Sequence, residues 1–367
     1  MIIRAKTKDL FAGRALTAAQ CKNSQLNIEE LEAGALVLRS LPRRIVLELS
    51  NNCNLNCRMC GRKAANFCLS ELDMELFYSL EPLFDTVEEV TLMGWGEPTI
   101  HPHFEEMLQV LSRHSARIYF CTNGMRLKSL HDAIFDCGVD VFAVSVDGAN
   151  PVTNSEIRRG SDLEKINAEL RKIVQRKKRE GLCYPHINYV FCAMKRNLRE
   201  LPSLVEMAAQ VGLDEVKVVF LTAFSEDFVQ ESLYGEDELV RKVFKETTQR
   251  AKELGILLKL PHIQDADPAG DALHRECFAV YRDFYLGSDG YVRPCMSTAH
   301  KLFAYDRSRP FMEMWNADEY QEYRRSVNSP EMPQNCRSCY QSSHCNWNRK
   351  KSFIQLGENF APSWGIE

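Results

Sequence analysis

Between residues 45 and 254 one pattern returns six times: a short apolar run, often β-branched, then a longer stretch with helical periodicity. The strand-like runs are 45–50, 90–93, 117–121, 141–146, 186–193 and 216–221. The helix-like stretches are 71–84, 104–113, 127–136, 163–179, 201–211 and 236–254; the first begins after Ser70, a good N-cap. Strands that alternate with helices pair in parallel, because the helix carries the chain back along a right-handed crossover. The order therefore predicts an α/β fold, a partial (β/α)6 TIM-like barrel. A further helix is expected around 28–39. Beyond Pro261 the pattern changes to Asp265, Asp267, Pro268, Gly270 and Asp271, followed by a hairpin-like stretch around Ser288-Asp289-Gly290. We read 1–43 as an N-terminal extension, 44–260 as the barrel and 261–367 as a small C-terminal α+β domain.

Fourteen cysteines stand in this chain of 367 residues. No apolar run approaches the roughly 18 residues that span a bilayer, and residues 1–10 carry charges where an export signal needs an apolar segment. A cytoplasmic, reducing setting is therefore expected, which argues against a disulfide framework. A net charge of −4 gives no electrostatic case for nucleic-acid binding. Eight of the cysteines fall into two clusters with the short internal spacings of metal ligands. Cys21, Cys68, Cys121, Cys137, Cys183 and Cys192 are scattered, and most are expected to act as small buried hydrophobes.

The first cluster reads Cys53-Asn-Leu-Asn-Cys57-Arg-Met-Cys60, directly after the first strand. Three thiolates suit an iron–sulfur cluster or zinc. Either site is closed by four protein ligands, so three leave one metal position open to a substrate. In a parallel barrel the loops at the strand C-termini are where chemistry is done.

CxxxCxxC in this place resembles the signature of radical S-adenosylmethionine (SAM) enzymes, and further segments match through 45–260. Gly94-Trp95-Gly96-Glu97-Pro98, after the second strand, resembles the family's glycine–glycine–glutamate motif with Trp95 inserted. Thr122-Asn123-Gly124 and Ser145-Val146-Asp147-Gly148 follow the third and fourth strands. The resemblance implies that Gly94, Gly96 and Glu97 hold the methionine amino group of SAM. It implies that Thr122, Asn123, Ser145 and Asp147 contact the methionine part and the ribose. It implies that Arg158 or Arg159 pairs with the carboxylate, and that Met59 packs on the adenine, with Met194 and Asn197 as weaker candidates. Cys53, Cys57 and Cys60 would hold a 4Fe–4S cluster. The implied chemistry is reductive cleavage of SAM to a 5′-deoxyadenosyl radical, which takes a hydrogen atom from a substrate.

The second cluster is Cys277, Cys295, Cys336, Cys339 and Cys345. It resembles the SPASM and twitch extensions of these enzymes, which carry auxiliary 4Fe–4S clusters; a zinc ribbon is the alternative reading of the same cysteines. The SPASM pattern has a further cysteine where this chain has Arg349. One auxiliary cluster is therefore expected, with Cys277, Cys295, Cys336 and Cys339 as ligands and Cys345 as a substitute or a free thiol. An auxiliary cluster beside the site implies oxidation of a small molecule such as a sugar or aminoglycoside. Redox-neutral epimerisation with a cysteine hydrogen donor, and peptide maturation, remain open alternatives. A flavodoxin or ferredoxin electron donor is implied, with no nucleic-acid or membrane partner.

Overall fold

The computed structural model describes residues 14–63, 68–224, 226–233, 235–261, 277–296, 300–333 and 336, and the backbone of two strands at 352–356 and 362–366. The six expected strands are present as β1 (Arg44–Leu47), β2 (Glu89–Leu92), β3 (Arg117–Thr122), β4 (Val141–Ser145), β5 (His186–Ala193) and β6 (Glu215–Phe220). A seventh, β7 (Leu257–Lys259), follows in the same sheet. Each pairs in parallel with the next in sequence order, as helical crossovers require.

Helices α1 (Ala18–Glu32), α2 (Met74–Ser79), α3 (Phe104–Leu111), α4 (Leu127–Asp136), α5 (Pro151–Ile157), α6 (Leu163–Arg179), α7 (Leu201–Val211) and α8 (Asp237–Leu254) accompany the strands. The strands alternate faces. On β3, Ile118 and Phe120 join the main core against the helices, whereas Tyr119 and Cys121 belong to a separate cluster with Val141, Ala143, Met93 and Val190. We call that second face the lumen. Phe120 meets Phe104 of α3 edge-on at 5.4 Å and stacks on Phe142 of β4 at 5.3 Å. Such fully buried aromatics each contribute about 1.5–3 kcal/mol of transfer free energy.

Four expectations are corrected. Of the scattered cysteines only Cys137 is buried, while Cys21, Cys68 and Cys183 are exposed. The N-terminal helix lies at Ala18–Glu32, not 28–39. Its buried side chains are Gln20, Asn23, Ser24, Asn27 and Glu30, so it shows no apolar stripe to read. They are hydrogen-bonded, mostly to backbone: Gln20 donates to the Val87 and Ser115 carbonyls at 2.8 and 2.9 Å, Asn27 to the Tyr281 carbonyl at 2.8 Å, and Ser24 to the Glu88 carboxylate. The helix expected over 71–84 is only Met74–Ser79, capped by Asp73, and Pro82 follows in a 3-10 turn. Ser70 is no cap; it exchanges hydrogen bonds with Asn51 at 2.8 Å. Finally, α5 had no counterpart in the reading. Asn150 caps it and Pro151 opens it.

The segment after 261 does not stand apart from the sheet. β8 (Asp283–Leu286) pairs in parallel with β1, Arg44 opposite Asp283, and turns through Asp289-Gly290 into antiparallel β9 (Tyr291–Arg293). The strand order is β10-β9-β8-β1-β2-β3-β4-β5-β6-β7, with β10 at Phe303–Ala304. Two helices, α9 (Phe311–Trp315) and α10 (Asp318–Ser326), bury Trp315 and Tyr320 with Phe284 of β8. No helix among the described residues is long and apolar enough to cross a membrane.

Candidate active site

The cysteine loop leaves the C-terminal end of β1 and is clamped on both flanks. On one side Gly96 and Glu97 N–H groups donate to the Ser50 and Asn52 carbonyls at 3.1 and 2.8 Å. On the other, Asn56 and Arg58 N–H groups donate to the Arg159 and Ile157 carbonyls at the end of α5, at 2.9 and 2.8 Å. Cys53, Cys57 and Cys60 are all half-buried and lie within electrostatic reach of one another. Burial raises the Cys53 thiol and pushes Cys57 up to about 11, although Arg158 pulls Cys57 back. A soft cation gathers such thiols as thiolates. Three half-buried thiols on one loop, with the Arg158 guanidinium 4.0 Å from Cys57 Sγ, have the donor chemistry of the three-cysteine cluster that the spacing implies.

Both glycines of Gly94-Trp95-Gly96-Glu97 are forced by close approach. A Cβ on Gly94 would run into the Glu48 side chain, and one on Gly96 into the Ser50 and Asn52 carbonyls. Glu97 is buried, and burial raises it against the donors that hold it. Its Oε1 accepts from Thr99 and Thr122 hydroxyls at 2.7 and 2.6 Å, and its Oε2 from the Asn123 N–H at 2.7 Å. Glu97 thus ties the loop after β2 to the loop after β3. Asn123 in turn donates to Asn54 at 2.7 Å, with its amide nitrogen 3.7 Å from Cys53 Sγ.

Asp147, after β4, is fully buried and accepts from the Cys192 N–H at 2.7 Å. Its other oxygen lies 2.7 Å from Arg158 Nε, and Arg158 Nη1 lies 4.0 Å from Cys57 Sγ. Burial alone would lower the guanidinium, but Asp147 holds it charged. Arg159 is exposed, so only Arg158 of the two faces the loop. Ser145 Oγ lies 3.6 Å from Cys121 Sγ on the luminal side. Met59 packs with Ile157, Met194, Leu221, Cys192 and Phe228 in an apolar cluster. Asn197 is buried and donates to the Asp147 and Cys192 carbonyls, both at 2.9 Å, which fixes the loop after β5.

Sequence reasoning missed Glu48 and Phe224. Glu48 follows β1 and shares the luminal phase of Arg44 and Val46, an acid inside an apolar run. It accepts from the Trp95 N–H at 2.7 Å, Ser288 Oγ at 2.9 Å and Tyr285 Oη at 3.2 Å. It therefore joins the β8–β9 hairpin to the glycine loop. Phe224 meets Trp95 edge-on at 5.4 Å beside Gly61. Nothing local in the sequence marks that pair.

The second cysteine set lies at the opposite end of the paired strands β1 and β8. Cys277 precedes β8 where Asp283 faces Arg44, and Cys295 follows β9 where Arg293 faces Tyr285. Asn328, in the left-handed region at φ 69°, accepts from the Cys277 N–H at 2.7 Å and donates back at 3.2 Å. Ala279 and Val280 N–H groups point at the Cys277 sulfur. Cys336 is raised by burial and by the nearby Cys295 and Cys277. Three half-buried thiols thus lie within electrostatic reach of one another here too. Cys339 and Cys345 lie outside the described residues, so the fourth ligand is not placed.

A family model of the radical SAM superfamily matches residues 47–190, and one of an iron–sulfur cluster-binding domain, SPASM, matches residues 277–340. A tungsten-containing aldehyde ferredoxin oxidoreductase cofactor-modifying protein of Pyrococcus furiosus is 24% identical over 83% of this chain and 88% of its own. An AdoMet-dependent heme synthase of Methanosarcina barkeri is 25% identical over 88% of this chain and 95% of its own. Among solved structures, Streptococcus suis SuiB bound to S-adenosylmethionine aligns with a TM-score of 0.65 at 17% identity, covering 83% of this chain and 72% of that one.

Proposed function

Because the chain belongs to the radical SAM superfamily and carries a C-terminal SPASM iron–sulfur domain, we propose that it catalyses the radical oxidation of a small molecule held in the lumen. The observation that supports this reading is a second thiol set besides the first, at the other end of the paired strands β1 and β8. At about 3.3 Å per residue the strands put those ends on the order of 15 Å apart. A cluster at the second set would accept the electron that the substrate radical gives up.

Bound together, a 4Fe–4S cluster and SAM supply a 5′-deoxyadenosyl radical that takes a hydrogen atom from the substrate. Cys53, Cys57 and Cys60 would hold that cluster, and Cys277, Cys295 and Cys336 would contribute three ligands to an auxiliary one. Arg158, anchored at Nε by Asp147, offers its terminal nitrogens to the methionine carboxylate. Asn123 and Ser145 offer polar groups to the methionine and ribose. Met59, Met194 and Leu221 form the apolar wall for adenine. Glu97 acts through the loops it ties together, and Gly94 and Gly96 permit that packing. In balance, the substrate loses one hydrogen atom to the radical, then one proton and one electron. The first electron comes from a low-potential donor of the flavodoxin or ferredoxin class.

The luminal face carries Tyr119, Cys121 and Val190, beside Ser145 and Lys217 in neighbouring strand registers, a mix of apolar and polar groups that suits a small polar molecule. Relatives matched over most of their length are named for cofactor modification and heme synthesis. The test is anaerobic turnover with candidate substrates in heavy water. Oxidised product without solvent deuterium, formed one-to-one with 5′-deoxyadenosine, is expected.

One observation favours a second reading. Cys121 presents its sulfur to the lumen beside Ser145, where a thiol can return a hydrogen atom to a substrate radical. Redox-neutral epimerisation would then leave one solvent deuterium in the product, and Cys121→Ala would abolish it.

A further inference from the structure

Asn123, in the loop after β3, is buried and its side-chain amide is held from both ends. Its Oδ1 accepts from the Met125 N–H at 3.0 Å, and its Nδ2 donates to Asn54 Oδ1 at 2.7 Å. The Met125 N–H can face only the amide oxygen, so the network fixes which end of the amide is the donor. An amide nitrogen carries two hydrogens. Asn54 takes one, and Cys53 Sγ, 3.7 Å from the same nitrogen, is placed to take the other.

Cys53 Sγ also accepts from the Leu55 N–H at 3.4 Å. That donor belongs to the cysteine loop itself. The Asn123 amide comes from the end of another strand, 70 residues on. Glu97 holds it there, taking the Asn123 N–H at 2.7 Å and the Thr122 hydroxyl at 2.6 Å. The loop after β2 therefore positions a donor from the loop after β3 on a sulfur of the loop after β1. Once that sulfur is a thiolate, the contact is charge-assisted and stronger than one to a neutral thiol.

We propose that the Asn123 side-chain amide donates a hydrogen bond to the Cys53 sulfur and raises the reduction potential of the cluster held by Cys53, Cys57 and Cys60. The proposal rests on the reading that these three cysteines hold a 4Fe–4S cluster. A hydrogen bond to a ligand sulfur stabilises the reduced, more negative state more than the oxidised one. Asn123 is thus a redox-tuning residue, and it eases reduction of the cluster by a low-potential donor. The second lone pair of its Oδ1 stays available to SAM.

The test is an EPR-monitored potentiometric titration of the full-length, anaerobically reconstituted enzyme without SAM. The first-cluster signal is the one missing from the Cys53→Ala/Cys57→Ala/Cys60→Ala variant. Asn123→Leu keeps the size and loses the donor, and it should move the potential of that signal to more negative values at unchanged iron content. Asn123→Asp loses the same tie to Asn54 and sets an anionic oxygen beside the sulfur, so it should move the potential further in the same direction. A merely structural role moves the two variants alike. Pulsed EPR of protein labelled with 15N in its asparagine side chains gives a second readout: a nitrogen coupling on the first-cluster signal that Asn123→Leu abolishes. An unmoved potential in Asn123→Leu, equal shifts in the two variants, or a coupling that survives Asn123→Leu overturns the proposal. If the variants fail to assemble the first cluster, the labelled wild-type protein decides alone, absence of a nitrogen coupling there overturning the proposal. Absence of any first-cluster signal in the wild-type protein would instead overturn the cluster reading, and this proposal with it.

Discussion

Arg158 Nε lies 2.7 Å from Asp147 Oδ2, and both side chains are largely buried beside the cysteine loop. The pair couples the end of β4 to the end of α5, and α5 holds the cysteine loop through the Ile157 and Arg159 carbonyls. Arg158→Ala should therefore have two effects, loss of SAM affinity and loss of stability. It leaves a buried carboxylate unpaired, at about 3–5 kcal/mol of stability. Arg158→Lys keeps the charge but loses the fork geometry, and it should weaken SAM binding by about 10–100-fold. Arg159→Ala should change SAM affinity little. Equilibrium binding of SAM to the reconstituted proteins checks all three.

Gly96→Ala should disable the first cluster and spare the second. The added Cβ meets the Ser50 and Asn52 carbonyls, which belong to the backbone leading into Cys53 and cannot move as a flexible side chain can. Iron analysis and EPR should show loss of the SAM-binding cluster with auxiliary iron retained. Full iron and normal SAM cleavage would contradict the packing argument.

Glu48→Ala should loosen the hairpin from the barrel. Three donors, the Trp95 N–H, Ser288 Oγ and Tyr285 Oη, lose one buried acceptor. Each donor left unsatisfied costs about 1–3 kcal/mol. A lower denaturation midpoint is expected, together with faster amide exchange in both β8–β9 and 94–97. Exchange confined to one of the two segments would show that Glu48 does not couple them.

His114 should make a pH-dependent contribution to stability. Burial lowers its pKa, but the hydrogen bonds it donates to Asp85 and Glu81 raise it further, for a net upward shift. A raised folded value means that the stabilisation is fully present below the unfolded value of about 6.5. It is lost as pH rises through the folded value. The stability difference between wild type and His114→Gln should be largest in mildly acidic buffer and vanish in alkaline buffer. A difference independent of pH would contradict the assignment.

The strand order and the helix at Leu163–Arg179 were legible because they rest on local periodicity: Leu163, Ile166, Leu170, Ile173 and Val174 form its buried stripe, and Asp162 caps it. α1 was illegible for the converse reason, since the side chains it buries are polar. The loop motifs after β1 to β4 could be read because they stand at strand ends in a parallel fold. The choice between Arg158 and Arg159 could not, since adjacent residues at a helix end differ only in direction. Glu48, Phe224 and Tyr320 owe their settings to strands and loops far away in sequence, so no window around them shows what they touch.

The central claim is that Cys53, Cys57 and Cys60 generate the radical. The direct measurement is 5′-deoxyadenosine formed from SAM by the anaerobically reconstituted, chemically reduced protein, compared with the Cys53→Ala/Cys57→Ala/Cys60→Ala variant. The account predicts 5′-deoxyadenosine from the wild type and none from the variant, which should still bind auxiliary iron. SAM cleavage retained in the variant would contradict it.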